Sequence, residues 1–547
     1  MSGKPAARQG DMTKKGGPIV QGSATVLIGS AGGVACSVCP GGMAVGSPVN
    51  PALGAKVLMG GDEVDFSLPG PMPLVWQRQY SSYVNEEHGA SCGLLGYGWK
   101  LPMELGLQLQ AERTVLLDTG GRAITFDEPL APGEAQYSAS EDLWLLRGGG
   151  AGCTLPAAAP LSRTPCELQP WAWQPRWAHV PEEVRADPRC VIAASGGGSG
   201  SGGAVWLLWP GTNGHHRLGQ VLDRFGRSQH YGYDEHGRLT GITDGSGRRY
   251  ALHYNRERAR DGSAATASSL TPTATSHPLL GADSGERLTG VDCVHNPLDA
   301  ACTGTGYRVP LVRYRYDSAG DLVEVLGRDG QRTREFGYDR LHRMVRHRVR
   351  SGPLHTYVYE DQGVATPRPG ARVVEQHNEQ GLSYRFEYRD PEVAATAAAA
   401  AHAGAAAKTD PAVLAPATAQ PVPVSEVRVR DSLNRLTCYH FEGAGADKRL
   451  VRLVSPDGAQ QRYQYDSAGR RVAHTDPLGR TTWWRYDGAG RLLGTQHPDG
   501  RSTRHRWGEA GSAQDGLLLQ SVGLGALPTH MDYDAWGRLL QVTVGEP

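Results

Sequence analysis

Four stretches of this chain carry residue types that could do chemistry. Cys36-Ser37-Val38-Cys39 has the spacing of a metal knuckle. Zinc takes four ligands, and no second CxxC or His pair lies nearby, so the stretch reads as a loop with two free thiols. Gly198, Gly200 and Gly203 match GxGxxG after the apolar run Val191 to Ala194, the pattern that cradles a dinucleotide phosphate. A phosphate needs a helix N-terminus there, whereas Ala204 to Trp209 reads as strand. The glycines are therefore expected to be a linker. His342 and His347, inside the basic run Arg340 to Arg350, suggest a recognition strip, but the overall balance of 56 basic and 56 acidic side chains argues for a solvated strand edge instead. The 19 histidines show no HExxH spacing, and no nucleophile elbow or paired-carboxylate site stands out. No residue is put forward as catalytic, cofactor-binding or metal-ligating; no cofactor is expected, and the chain is expected not to be an enzyme.

The bulk composition agrees. With 73 Gly, 36 Pro and 39% apolar residues, turns should outnumber long helices. Zero net charge removes the electrostatic case for a nucleic-acid or anionic-membrane partner. Nine scattered cysteines (36, 39, 92, 153, 166, 190, 293, 302 and 438) are too sparse to staple 547 residues and are expected to be mostly reduced. No apolar run is long enough to span a bilayer as a helix, and Met1 is followed by no apolar signal-peptide core. Neither a membrane span nor general secretory export is expected.

What must position any functional surface is a repeat. Aromatic or apolar residues pair at i and i+2 in Tyr231/Tyr233, Leu252/Tyr254, Tyr314/Tyr316, Phe336/Tyr338, Tyr357/Tyr359, Phe386/Tyr388, Tyr439/Phe441, Tyr463/Tyr465, Trp484/Tyr486, His505/Trp507 and Met531/Tyr533. Period two predicts strands. The step between second members is 21 residues from Tyr233 to Tyr254, Tyr338 to Tyr359, Tyr465 to Tyr486 and Tyr486 to Trp507. Between the pairs lie turns of the form Tyr-Asp-x-x-Gly-Arg-Leu, as at Tyr233 to Leu239 and Tyr486 to Leu492, alternating with Asp-Pro-Leu-Gly-Arg at 476–480, Asp-Arg-Phe-Gly-Arg at 223–227, or a short Asp-Gly. The Asp can bond backbone N–H groups ahead of it and the Gly can take positive φ, which predicts a type I turn closed by a bulge. Each unit of about 20 residues is then one hairpin, marginal alone, that must stack on its neighbours. The strict alternation predicts that the aromatic face is buried.

These hairpins resemble the YD repeats of Rhs proteins and the related teneurin and insecticidal-toxin shells. Upstream, Asp65-Phe66-Ser67-Leu68-Pro69-Gly70-Pro71-Met72-Pro73-Leu74 with Trp76, Arg78, Tyr80 and Ser81, then Gly96-Tyr97-Gly98-Trp99, is similar to the module that precedes the repeats in bacterial Rhs proteins. Lys4 to Asp11 with Gly16-Gly17-Pro18-Ile19 and Gly22 to Gly29 resembles the last third of a PAAR domain, with Lys15 where that family usually places a zinc-binding His. The resemblance implies an all-β architecture of stacked hairpins forming part of a curled shell. Its division is expected as a partial PAAR-like unit at 1–35, an N-terminal module at 45–128, an irregular Trp/Pro/Gly-rich segment at 129–215 and a repeat array at 216–547 with insertions near 261–284 and 391–424.

The same resemblance implies a non-catalytic carrier that encloses a C-terminal toxin, absent from this chain, and docks through its start on a type VI secretion spike protein. The protein would be cytoplasmic before export by that system. Asp476-Pro477-Leu478-Gly479 resembles part of the family's cleavage segment, yet it keeps the ordinary repeat spacing and is expected to be a plain turn. The chain is expected to be a fragment, short of PAAR units at its start and of shell closure and toxin at its end. A carbohydrate-binding or contact-dependent adhesin built from the same repeats is the alternative.

Overall fold

The computed structural model describes residues 44–545, excepting 84–91, 119–122, 139, 150–176, 196–203, 212–213, 256–284, 303–305, 366–369, 391–423, 444–447, 510–511, 513 and 536. The PAAR-like start, the Cys36/Cys39 pair, the glycines of the GxGxxG match and the two expected insertions therefore lie outside the described residues.

One antiparallel sheet dominates, running hairpin by hairpin from Leu143–Arg147 to Leu539–Val544. All eleven aromatic pairs lie in its strands. The register explains the motif. Beside each Tyr-Asp turn one strand carries an extra residue: Tyr233 pairs with Leu239, Tyr316 with Leu322, Tyr338 with Met344, Tyr465 with Arg471, Tyr486 with Leu492 and Tyr533 with Leu539, each next to a register shift. This is the expected bulge, and it needs a left-handed residue at the turn's end. Gly237 (φ 79°) and Gly490 (φ 80°) supply it, and where glycine is missing His342 (φ 61°) and Asn434 (φ 62°) take the same conformation.

The Asp and Arg of the motif close each turn and then link it to the next. Asp487 Oδ1 accepts the amides of Ala489 (3.0 Å) and Arg491 (2.9 Å), while its Oδ2 accepts Arg491 Nε (2.6 Å). The turn arginine also lies over the ring of the aromatic residue sixteen positions on. The distances to the ring centroid are 4.9 Å for Arg238 over Tyr254, 4.4 Å for Arg343 over Tyr359, 4.4 Å for Arg372 over Tyr388 and 5.2 Å for Arg470 over Tyr486. That tyrosine then donates its hydroxyl to the carbonyl just after the arginine: Tyr254 to Leu239 (2.7 Å), Tyr359 to Met344 (3.1 Å), Tyr388 to Val373 (2.7 Å) and Tyr486 to Arg471 (3.2 Å). Trp507 makes the same bond to the Leu492 carbonyl through its indole N–H, at 2.7 Å.

The segment 129–215, which shows no periodicity in sequence, supplies strands Ala135–Ser138, Leu143–Arg147, Val191–Ser195 and Val205–Pro210 to the same sheet, with a short helix Glu182–Ala186. Trp177, Val180, Val184 and Cys190 pack with Leu146, Ile192 and Leu207 into a small separate core. Strands Gly106–Leu109, Thr114–Leu117 and Ala123–Phe126 branch from the sheet where His215–Leu222 shares one edge between Gly106–Leu109 and Ser228–Tyr233.

The sheet curls without closing: among the described residues no register joins Leu539–Val544 to an earlier strand other than its hairpin partner. The curl brings distant strands together. Tyr137 donates to the Ala489 carbonyl at 3.0 Å, and Arg224 Nη1 to that of Gly537 at 3.4 Å. Both contacts skip about 21 strands, and Arg224 sits in a turn on the opposite rim from the turn of Gly537. One revolution is therefore offset by about a strand length, and at ~4.8 Å per strand it gives a spiral wall about 100 Å round.

Residues 44–105 lie on the inside of this wall as a plug. A four-stranded sheet of Val49–Asn50, Ala55–Leu58, Gln79–Ser81 and Trp99–Lys100, with the hairpin Val64–Ser67/Val75–Gln77, packs Trp76, Tyr80, Leu95, Trp99 and Leu101 onto Tyr250, Val291, Tyr314, Val325, Phe336 and Met344. We expect Tyr388→Phe, which leaves the Val373 carbonyl without its phenol, to cost about 1 kcal/mol. Tyr388→Leu, which also removes the ring beneath Arg372, should cost roughly 1 kcal/mol more. Urea midpoints of the two variants against the parent chain check the order.

Candidate functional site

Two surfaces of the inner face differ in what covers them: the seat of the plug, and the wall after it.

The plug is held by polar bonds set into an apolar contact. Its Leu68 to Pro73 stretch is rich in proline, so its carbonyls have few amides of their own to pair with. The repeat turn Asp244 to Arg248 supplies donors. Arg248 Nη1 reaches the Leu68 carbonyl (3.0 Å) and its Nη2 that of Pro69; Ser246 Oγ reaches Pro71 (3.3 Å), and the Gly245 amide reaches Met72 (3.2 Å). Gln229 Nε2 donates to Pro73 at 2.9 Å. The Ser-Leu-Pro-Gly-Pro-Met-Pro stretch is thus a docking strip for one turn of the wall.

Further along, Arg78 is fully buried between Glu63 (2.8 Å) and Asp65 (2.8 Å), with Trp99 and Phe336 rings against its guanidinium. Burial opposes the cation, yet Asp65 and Glu63 more than offset this and hold its pKa above the ordinary value. The cluster reaches into the wall: Tyr314 donates to Asp65 Oδ2 at 2.6 Å and accepts from Trp76 Nε1 at 2.7 Å, and Arg334 lies 3.4 Å from Glu63. Trp99 Nε1 donates to the Tyr338 hydroxyl at 2.8 Å, and the Met344 amide to Tyr80 at 2.8 Å. Burial, first of all, pushes the Tyr314 and Tyr80 phenols well up.

The expectation for His342 and His347 needs correction. His342 stacks on Tyr97 of the plug (centroids 3.7 Å apart) and holds the Asp321 carboxylate at 2.9 Å, and His347 is 4% exposed. Neither lies on a solvated edge, because the plug covers the face they point from. Asp321 occupies the place of the usual turn arginine, and His342 Nδ1 is its hydrogen-bond partner there; burial, first of all, pushes the Asp321 carboxyl up. Tyr97 and Trp99 signal this dock in the sequence; their partners in the wall do not.

Asp476 to Arg480 is an ordinary turn, as expected: Asp476 Oδ2 accepts Arg480 Nε at 2.7 Å, Gly479 has φ 77°, and Leu478 points outward, 75% exposed. Arg480 holds the Asp476 carboxyl below the usual carboxylate range. A cleft lined by Arg332, Arg334, Arg348 and Arg350 has every guanidinium beside a carboxylate, from Glu324, Glu63, Glu379 and Asp329 respectively. Among the described residues no three His, Cys, Asp or Glu side chains gather as a metal site, and no helix is long and apolar enough to cross a membrane.

Downstream of the plug the chemistry of the same face changes at equivalent register positions. Under the plug the cross-strand neighbours are Tyr231–Ile242–Tyr250, Leu252–Val291–Val312 and Tyr314–Val325. Beyond it they are Tyr463–His474–Thr482, Trp484–Thr495–Thr503 and His505–Ser521–Thr529. Ile, Val and Val have become His, Thr and Ser. None of the downstream set carries a carboxylate or an ammonium, although Arg471, where Leu239 stands under the plug, lies 4.6 Å over the Trp484 ring on the same face; Arg462, Arg485, Arg504 and Arg506 lie exposed on the outer face. Under the plug Tyr250, Tyr314 and Phe336 are buried and Tyr231, Tyr233, Tyr254, Tyr316 and Tyr338 are partly so, whereas from Tyr463 onward every ring of the pairs is only partly buried.

Family models match in the same order as these parts: a domain of unknown function, DUF6531, over 46–126, the teneurin YD-shell over 216–394, and the RHS repeat over 446–481 and 472–502. The toxin protein Tse5 of Pseudomonas aeruginosa is 34% identical over 490 residues, 88% of this chain and 30% of its own length. The chain is an Rhs/YD-repeat protein. The double-stranded DNA deaminase toxin A of Burkholderia cenocepacia is 26% identical over 343 residues, 63% of this chain and 18% of that protein. The Rhs/YD-repeat chain thus spans less than a third of the length of the curated relatives it matches. Among solved structures, the TcdB2-TccC3 crystal structure aligns over 79% of this chain and 27% of its own at 12% identity and TM-score 0.22. The N-terminal domain of SpvB from Salmonella typhimurium aligns over 59% and 94% at 12% identity and TM-score 0.19.

Removing the cation from the buried cluster should cost more than removing the whole cluster. We expect Arg78→Met to destabilise the chain by about 3–5 kcal/mol, since Glu63 and Asp65 are left buried together. The triple variant Arg78→Met, Glu63→Gln, Asp65→Asn should recover part of the loss. Thermal melting of the single and triple variants decides it.

Proposed function

We propose that this protein is the non-catalytic wall of a toxin carrier. The spiral encloses a polypeptide cargo, the plug stops one part of the lumen, and the stretch after it lines the remainder. The supporting observation is the change from Ile242, Val291 and Val325 under the plug to His474, Thr495 and Ser521 beyond it. Apolar positions suit a permanent contact, worth about 25 cal/mol for each Å² buried. Polar positions suit a cargo that must leave, because they keep their hydrogen bonds to water, and the guanidinium of Arg471 on this face is turned onto the Trp484 ring. Both curated relatives are named as toxins, which agrees with a carrier role.

In this reading 45–128 is the module that seats the wall, 216–547 is the array, and the PAAR-like residues 1–35 dock on a type VI secretion spike, so that export uses that system. The adhesin alternative needs ring faces free for stacking on sugars, whereas repeat tyrosines such as Tyr254 and Tyr388 give a face to arginine and the hydroxyl to a carbonyl. Reading the DNA on both sides of the coding frame tests delivery. We expect a continuing repeat frame, a downstream segment of different composition and a spike gene nearby; a frame with none of these would remove the delivery reading. For enclosure, an unstructured reporter fused after Pro547 should be cut by protease about tenfold more slowly than the free reporter, and equal rates would count against it.

A further inference from the structure

The strap Val45 to Pro48 leads into the first hairpin of the plug and crosses the wall at Met344–Val349, Leu354–Tyr359 and Val373–Asn378. Its Ser47 is gripped from three sides. The Ser47 carbonyl accepts Lys56 Nζ at 2.7 Å and the Tyr357 hydroxyl, and its amide donates to Gln376 Oε1 at 3.0 Å. Lys56 has no exposed surface; it also donates to the Val57 (3.0 Å) and Pro48 (3.4 Å) carbonyls, with the Tyr357 ring 4.6 Å below it. Three donors meet three carbonyls, which suits an ammonium.

Beside this grip two imidazoles are stacked. The His347 and His355 rings lie 5.0 Å apart at 16°, and His347 Nδ1 is 3.0 Å from the Tyr357 hydroxyl. His355 Nδ1 is buried without a hydrogen-bond partner. The charged groups that face the pair are Lys56 from the plug, Arg334 from Arg332–Tyr338 and Glu379 from the turn after Val373–Asn378. Glu379 is bonded to Arg348 at 2.9 Å, and Glu63, the carboxylate facing Lys56, is engaged by Arg78 and Arg334.

We propose that the Val45 to Pro48 strap is a latch that opens on acidification, because its seat accommodates the Lys56 charge and has no carboxylate left to accommodate a second cation on His347 or His355. Burial, then the Lys56 charge, holds both imidazoles below their ordinary value, His347 the further, and burial lowers Lys56 as well. The sign follows. A histidine kept neutral in the closed latch and free to protonate in the open one stabilises closure above about pH 6.5. That stability is lost as the pH falls below it. Each such imidazole shifts the balance toward opening by up to about 30-fold between pH 7.5 and pH 5.0, and the two together by up to about 10³-fold.

Amide hydrogen exchange on the whole chain, corrected for the intrinsic pH dependence of exchange, reads this directly. Protection of residues 45–57 should fall by at least about ten- to thirtyfold between pH 7.5 and 5.0, while Leu288–His295, deep under the plug, holds. The variant His347→Gln, His355→Gln should flatten the fall. The same fall in that variant, or a flat profile in the wild type, overturns the latch. The wild-type profile decides on its own should the variant fail to fold.

Discussion

A phenol buried on a sheet face must find an acceptor, and within a repeat hairpin every backbone acceptor nearby is already committed to a neighbouring strand. The bulge beside the turn resolves this. It frees the carbonyl that follows the turn arginine, and the hydroxyl that takes it comes from the next hairpin along, as Tyr254 takes Leu239 and Tyr388 takes Val373. The same arginine is tied to a carboxylate of its own turn, Asp234 for Arg238 and Glu360 for Arg372, and stacked on that next ring. No hairpin therefore satisfies its own polar groups. The stability of the wall lies in the joints between units, which is why the motif recurs at a fixed step and why the array has no natural place to end in its interior.

How much of this is legible in the sequence follows from the range of each interaction. The strand positions, the bulged turns and the need for stacking are local, confined to one hairpin and its neighbour, and Tyr-Asp-x-x-Gly-Arg-Leu encodes all of them. The plug is legible as a β-rich module through Trp76, Arg78, Tyr97 and Trp99, but its seat is not. The partners Tyr314, Phe336, His342 and His347 stand far along the chain and keep the same period-two pattern as uncovered strands. His342 shows the difficulty in one residue. Within a basic run in a neutral chain it reads as solvated; it is instead paired with an aspartate that stands where the repeat calls for arginine. The 129–215 stretch is opaque because its strands are separated by long insertions, so no period accumulates.

The change of chemistry along the inner face is likewise invisible to a reading by motif, since Tyr463 and Trp484 occupy the same register positions as Tyr231 and Tyr314. What differs is the partner across the ladder. A threonine or histidine in place of isoleucine or valine leaves the pleat and the bulge unchanged and alters only what the face can hold. One sheet thus carries two surfaces, one closed permanently by the plug and one left open to exchange.

Curvature then sets what that open surface can hold. With about 21 strands in a revolution, the backbone wall is about 32 Å across, and allowing ~5 Å of side chain on each inner side leaves a lumen of about 22 Å. A small packed layer such as the plug fills that width, and an extended or loosely folded chain passes through it. A domain of about 100 residues, with a radius of gyration of about 13 Å, does not fit as a native globule. In the carrier proposed above, a cargo in this part of the spiral would be held partly unfolded, where a wall rich in Ile and Val would trap it by the same burial that fixes the plug. The His, Thr and Ser positions avoid that trap. The rise of about one strand length per revolution also means that the lumen lengthens with every added hairpin while its width stays constant.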